Sequence, residues 1–530
     1  MDTNSHFLSL TSHSSGITLI ALIITIVIML ILAGITINLT LGENGIFQKA
    51  KLAKGQYETA SVQEKLELEL ASMQMGRQTD LTVAEYVNEL EDKGIVLQEN
   101  IILRETETAL KINGEIFVVY LEDADGQVKV YHEEGNVMKA ANLSRITNNW
   151  LGTGLSNNTI KTIQFVGNIP QEIKNVNLEE ENYVEYEGVQ TFVADVSAEG
   201  EDNGTVMCWW TDAGTVTVGE ENITVYDVTI GANGGVTAPR NSVFLFDQMG
   251  NLTIVNAENY FYTRNTTNMG CMFYDCKKLE NLNLNKTFDT SKVTNMNQMF
   301  VANFMLNELD LSKCNFDTSN VKWMSRMFYS CSGLSNLILG SDFNTRNVET
   351  MQSMFYGCKV LTNLNLEDKF DTSKVTNMSF MFYDCEALSS LDLGENFNTK
   401  SLVNASGMFM FCKNIEILNL GDKFDTNNIT NVSSMFSYCF KLSEINLGNK
   451  FVSNNITDMN RMFQNCYALT KVYFGEFGVS PEVIAQNVTG SEFFYNIQNS
   501  CTVYVKNEKV QNWVNQIKNN SNVTVVISED

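Results

Sequence analysis

Residues 327–353 read MFYSCSGLSNLILGSDFNTRNVETMQS, and residue 354 starts the same phrase again. Met-Phe pairs begin at Met272, Met299, Met327, Met354, Met381, Met408, Met435 and Met462, spaced by 27 residues except for one step of 28. One step earlier, Leu245-Phe246 stands in the same register, with Leu252 and Val255 matching Leu279 and Leu282. Eight clear copies and a degenerate leading one make an array, because a fixed period of about 20 to 50 residues marks stacked supersecondary units.

Each copy accounts for itself physically. In Met327-Phe328-x-x-Cys331-x-x-Leu334-x-x-Leu337-x-Leu339, the closing Leu-x-Leu has the alternation of a strand with one buried face. Phe343, Val348 and Met351 then return apolar groups to the interior on the far side of the coil. The turn between them carries Asn344-Thr345, replaced by Asp371-Thr372 and Asp425-Thr426 in later copies. Short polar side chains of that kind can hydrogen-bond backbone that a tight coil leaves unpaired. Stacking sets Leu on Leu, Phe on Phe and Met on Met, so stability is a sum over neighbour interfaces. The period falls in the leucine-rich-repeat range. The expected fold class is therefore an α/β solenoid, a leucine-rich-repeat array of about nine 27-residue coils, with Leu282/Leu284, Leu337/Leu339, Leu364/Leu366 and Leu391/Leu393 buried on successive strands.

Seven cysteines, Cys276, Cys331, Cys358, Cys385, Cys412, Cys439 and Cys466, share one site in the copy, with Asn303 there in one copy and Met249 in the leading one. Zinc needs four converging ligands, whereas these thiols form a line. Adjacent parallel strands, about 4.8 Å apart, permit disulfides on distance alone. An odd count and two replacements fit a free, buried thiol used in packing better. Side chains alternate along a strand, so the residue between the two buried positions points outward. These residues are Asn283, Asp310, Ile338, Asn365, Asp392, Asn419, Asn446 and Tyr473, one per coil. The row is a candidate partner-binding ladder, since solenoids commonly recognise partners along an extended face; it serves equally to keep an exposed sheet soluble.

The motifs FDTSKVTNM (Phe370 to Met378) and MFYDC (Met381 to Cys385) closely resemble the BspA-like leucine-rich-repeat surface proteins of bacteria. Gly234 to Val236, followed by Ala238-Pro239, resembles the run-in to the array in that family, and the resemblance covers roughly Tyr183 to Asp530. It implies a secreted or surface protein that adheres to an extracellular protein or glycan, and it supplies no catalytic residues.

Outward from the array, KNEKVQNWVNQIKNN (Lys506 to Asn520) reads as a closing amphipathic helix in a C-terminal cap, 476–530. Upstream, YVEYEGV, TFVADV, TVMCWW and ENITVYDVTI alternate as strands of a β-rich cap, 136–240, broken by Gly231 to Gly235. Cys208-Trp209-Trp210 reads either as an aromatic platform or, as paired tryptophans in a strand usually do, as one ring in a core and one on a surface. Residues 76–135 read as a small α+β module. Thr82 and Glu85 form a capping box, Val83, Val87 and Leu90 one apolar face, and Gly94 a stop. Asn113-Gly114 and Asp125-Gly126 mark hairpins. Asp123 and Asp125 read as part of a turn rather than a calcium loop, because Val128 stands where an EF-hand needs glycine.

Ile17–Ile37 reads ITLIALIITIVIMLILAGITI, without charge and long enough to cross a hydrocarbon core of about 30 Å. Gly16 followed by Ile17-Thr18-Leu19-Ile20 resembles a type IV prepilin leader. That resemblance implies a leader, 1–16, cut by a prepilin peptidase between Gly16 and Ile17, and an anchor helix and stalk over 17–75. Ala21 stands where the family carries Glu, and Ser14 and Ser15 where it carries basic residues. Lys49, Lys51 and Lys54 follow the helix, which by the positive-inside rule alone would put the C-terminal side in the cytoplasm; the two resemblances imply the outside. The chain ends VVISED, without a sorting motif, so the expected localisation is the cell surface through a single-pass N-terminal helix.

A formal net charge of -26 speaks against nucleic acid as a partner. Of the three histidines, His6 and His13 fall in the leader, and His132 is matched with no nucleophile at a recognisable motif. A carboxylate pair acting on a glycoside stays open, because sequence carries no distances. The functional expectation is a surface-displayed binding or adhesion protein without cofactor; a minor pilin-like filament component is the second reading.

Overall fold

The computed structural model describes residues 62–63, 65–70, 73 and 82–528, less 97–100, 104–107, 113–114, 122–127, 134–135, 139–149, 199–203, 367–368, 395, 421–423, 449, 452–454 and 475–491. The chain divides into two compact units, Met1–Met75 and Gly76–Asp530. In the first, residues 65–70 are helical, and Leu66, Leu70 and Met73 are buried. Gly16, Ile17 and the apolar run lie outside the described residues, as do the two hairpin turns and Asp123.

The second unit begins with the helix Val83–Asp92, whose Thr82–Glu85 capping box is formed as expected. Tyr86, Val87 and Leu90 are its buried face, and Gly94 ends it with a positive φ of 68°. An antiparallel four-stranded sheet follows, Ile101–Leu103, Thr108–Ile112, Glu115–Leu121 and Val128–Glu133.

The cap is a seven-stranded sheet. Its strands run, in spatial order, Asn281–Asn283, Ile254–Asn256, Ile160–Val166, Glu221–Ala232, Val206–Val218, Val189–Asp195 and Tyr183–Tyr186. Ile160–Val166 is the junction. It pairs in parallel with Glu221–Ala232 on one side and with Ile254–Asn256, in the leading copy of the array, on the other. Cap and array therefore share one sheet and one core.

Further along, Glu308–Asp310, Asn336–Ile338 and Asn363–Leu364 form a parallel sheet. Ile417–Asn419, Glu444–Asn446, Lys471–Tyr473, Cys501–Val505 and Val523–Ile527 form another. A second ladder of single bridges joins Asn268, Asn295, Trp323, Thr350, Asn377, Asn404, Asn431 and Asp458 in turn. Phe273, Phe300, Phe328, Phe355, Phe382, Phe409, Phe436 and Phe463 stack with centroids 5.4 to 5.7 Å apart, within 11° of parallel. Phe288, Phe316, Phe343 and Phe370 make a second row.

The expectation of an α/β solenoid is overturned. Among the described residues the molecule is mostly β, no α-helix lies within 242–474, and the strands form separate open sheets rather than one solenoid sheet. The physical reason lies in the backbone. Each copy places two residues in the left-handed region, one before the Met-Phe pair and one three residues after its Met, as at Arg326 (φ 57°) and Ser330 (φ 57°), or Phe380 (φ 58°) and Asp384 (φ 59°). The chain turns so often that no helix can propagate, and strands last two or three residues. Residues 391–393 form no strand at all, which separates the two later sheets. The 28-residue step absorbs its extra residue in a single 3-10 turn, Leu311–Lys313. Leu282 is only partly buried, whereas the other seven leucines expected inside are buried.

The expected localisation is likewise corrected. Among the described residues no helix is long and apolar enough to cross a membrane. The segment on which the expected single-pass anchor rested, 17–37, is not among those residues.

Three side-chain ladders join the coils. Apolar stacking is the first. In the second, Thr318, Thr345, Thr372 and Thr399, all buried, donate to the carbonyls of Asn344, Asp371, Asn398 and Asp425 in the next copy at 2.7 to 2.8 Å. In the third, each ladder thiol donates to a Phe carbonyl of an earlier coil, as Cys331 to Phe300 (2.9 Å) and Cys385 to Phe355 (3.2 Å). Asn303 replaces cysteine in one copy and makes the same bond, its Nδ2 donating to Phe273 at 3.0 Å. The thiol is thus a small second donor to a carbonyl that already accepts a bond within its own coil, as Phe328 does from the Cys331 N–H at 3.2 Å. All eleven described cysteines are free and buried. At the far end, the helix Glu508–Ile517 lays Val510, Trp513, Val514 and Ile517 on the core between the last two strands.

Candidate binding face

The outward row follows from strand alternation, and the pairing registers align all of it except Asn365 and Asp392, which lie outside the paired strands. Asn419, Asn446 and Tyr473 are successive partners, as are Asp310 and Ile338, and Asn256 and Asn283. Ile338, Asn365, Asp392 and Asn446 are exposed, while Asn283, Asp310 and Tyr473 are half-buried. The side chain of Asn419 lies outside the described residues, although its backbone holds the register.

The preference for Asn and Asp in this row has a local cause that periodicity alone does not reveal. Asp392 accepts from the Gly394 N–H and Asn446 from the Gly448 N–H, both at 2.9 Å. Asp310 accepts from the Ser312 N–H at 3.1 Å and pairs with Lys313 at 3.5 Å. Burial works against the charge of Asp310, but the bonds from Ser312 and the Lys313 ammonium prevail and hold it below the usual carboxylate range. These side chains bond the backbone two residues on, which closes the turn after the outward position. In Asp310 one oxygen serves the turn and the other meets the Lys313 ammonium. Asn283 donates to Asn256 in the preceding copy, and Tyr473 stacks on Tyr504 at 4.7 Å.

The sheet does not stop at the array. Asn256 pairs with Gln164, Gln164 with Thr229, Thr229 with Trp209 and Trp209 with Val193. On this outer face of the cap sheet, a groove of about 450 Å³ is lined by Gln164, Asn168, Glu187, Trp209, Asp227 and Thr229 among others. Gln164 donates to Thr229 at 2.7 Å, and Thr162 to Asp227 at 2.6 Å. Burial, with the neighbouring Glu187 carboxylate, pushes the Tyr186 phenol at the groove wall above its ordinary range.

Neither ring of the tryptophan pair is a free platform. Trp210 belongs to the main core and stacks on Phe192 at 5.9 Å. Trp209, on the other face, packs with Ile173, Val193 and Met207 under the short helix Gln171–Lys174. Gly231 makes room for it, because a Cβ there would lie 2.7 Å from the Trp209 ring.

A surface band that the motif reading missed runs beside the Met-Phe pairs. Tyr329, Tyr356 and Tyr383 stack at 4.4 and 4.3 Å, Phe411 and Tyr438 at 4.3 Å, and Phe440 and Tyr467 at 5.0 Å, all half-buried. The ring moves from two to three residues after the methionine at Phe411, then past the cysteine at Phe440, yet contact is kept at each shift. His132 lies in the strand Val128–Glu133 of the small sheet, paired with Phe117. Among the described residues no group of three or more His, Cys, Asp or Glu could hold a metal ion.

A family model described as Mycoplasma protein of unknown function, DUF285, matches residues 242–367 and 359–474. The two matches cover the array and less than half of the chain, so the chain is similar to that family over its repeats. No curated protein matches.

Proposed function

We propose that this chain is a binding module of the adhesion type, in which the array presents the outward row to an extended protein or glycan and performs no catalysis. The observation that carries the reading is the register: outward positions of paired copies stand in line, Asn256 with Asn283, Asp310 with Ile338, and Asn419 with Asn446 and Tyr473. An extended ligand would meet an amide or carboxylate at six of the eight steps, with Ile338 and Tyr473 as the exceptions. Its rows of amides and carboxylates suit hydrogen-bonding partners and repel phosphate-rich ones, in keeping with a net charge of -26. The resemblance of FDTSKVTNM and MFYDC to the BspA-like surface proteins supports the same class.

The test is retention of the full chain on beads bearing fibronectin, collagen or mucin, with the triple variant Asn365→Ala, Asp392→Ala, Asn419→Ala beside it. Retention by one of these, weakened about tenfold or more in a variant that unfolds like the parent, is the expected result. Equal retention of parent and variant removes the row from the reading.

A further inference from the structure

The cap groove has features that the outward row does not use. Its walls combine a tryptophan, a proline (Pro170) and a valine (Val189) with amides at Gln164 and Asn168, hydroxyls at Thr191 and Thr229, and carboxylates at Asp227 and Glu187. No lysine or arginine lines it, which disfavours phosphate, sulfate and acidic sugars. Its volume of about 450 Å³ lies within the range of about 300–1,000 Å³ usual for small-molecule sites.

The local bonds leave paired valences pointing at one space. Gln164 spends an amide hydrogen on Thr229, so its carbonyl oxygen remains an acceptor and the Thr229 hydroxyl a donor. Asp227 accepts from Thr162 through one oxygen and keeps the second. Donors and acceptors set beside the apolar edges of Pro170, Val166 and Val189 match vicinal hydroxyl groups on a ring whose faces are C–H. Over Ile160–Val166, Glu221–Ala232 and Val206–Val218 the groove crosses strands already paired on both sides, so a peptide there finds no backbone edge to extend; the sheet's outermost strand, Tyr183–Tyr186, borders the groove only through Tyr186.

We infer that the groove over Gln164, Trp209, Asp227 and Thr229 is a binding site for a neutral saccharide unit, separate from the repeat row. It is independent of the row's partner: either can fail without the other.

Calorimetric or NMR titration of the full chain with lactose, cellobiose and N,N′-diacetylchitobiose tests it, with 3′-sialyllactose and pentalysine as charged contrasts. The expected result is binding of at least one neutral disaccharide with Kd of about 10 mM or tighter, weakened about tenfold by Gln164→Ala and by Asp227→Asn. Asn365→Ala, in the row, should leave that affinity unchanged. Gln164 and Asp227 are exposed, so these variants keep the core, and Asn168→Ala provides a third in which the strand itself is untouched. No binding by any neutral sugar, binding only of sialyllactose or pentalysine, or binding indifferent to all three groove variants overturns the inference.

Discussion

In the array, each side chain meets a copy of itself; in the cap, each meets a stranger. Phe355 lies between Phe328 and Phe382 at 5.5 Å on either side. Phe165 of the cap stacks on Phe261 at 4.2 Å and meets Phe246 edge-on. The array's energetics are therefore a repeated nearest-neighbour term. The cap's depend on a set of contacts that occurs once. This contrast sets how far damage should travel from a single substitution.

The largest effect is expected from Phe355→Ala. Truncating a fully buried ring costs about 3–5 kcal/mol, and the loss should concentrate in the coils on either side. Hydrogen exchange should quicken around Phe328 and Phe382 while amides of Glu221–Ala232 keep their protection. Uniform loss of protection across array and cap would break the contrast.

A smaller effect should appear at alkaline pH. Burial pushes the Cys331 thiol up to about 12, and burial with the adjacent Cys385 and Cys331 thiols raises Cys358 well above its usual range. An unfolded thiol ionises near about 8.5. The folded pKa is the higher one, so this stabilisation is complete below about 8.5 and is lost as pH rises from there towards about 12. Urea midpoints should fall over that window, and replacing Cys331, Cys358 and Cys385 together with serine should flatten the fall. Iodoacetamide should label the ladder thiols in native protein at neutral pH only as fast as the array opens. Rapid labelling of folded protein would show that the array is looser than its packing.

The smallest effect separates the two regions by backbone. Ser330 is left-handed at φ 57°, while Gly357 occupies the equivalent position one copy later. A left-handed non-glycine residue costs about 1–2 kcal/mol, against about 0.5–1 kcal/mol of glycine entropy. Ser330→Gly should therefore raise stability by about 0.5 kcal/mol in equilibrium unfolding. A loss would mean that the Ser330 side chain contributes more than the strain it bears.

Much of the array was legible because one period repeats one packing problem. Phe343, Val348 and Met351 are all fully buried, as their spacing required. The Asn/Asp–Thr turns do bond backbone across copies. The absence of helix was not legible, since alternating left-handed residues at Arg326, Phe380 or Asp384 carry no residue-type signal. The free thiols could be read from their odd count, but their role as donors could not; Asn303, an amide in a cysteine's place, was the one available clue. The antiparallel strands of the cap showed in their alternation. Its groove did not, because Gln164 and Asp227 are distant in sequence and meet only through the parallel pairing of Ile160–Val166 with Glu221–Ala232.

By itself, then, the sequence determined the period, the side chains that stack, and the outward row. Those follow from local alternation and from translation of one unit onto the next, which needs no knowledge of distant contacts. Tertiary structure alone decided that the copies, among the described residues, are strand and turn without α-helix, that Ile160–Val166 joins cap to array, and that an amide, a carboxylate and an indole share one groove. Strain at left-handed residues and pairing between remote strands are settled by the whole core, in which a strand's neighbour in space need not be its neighbour in the chain.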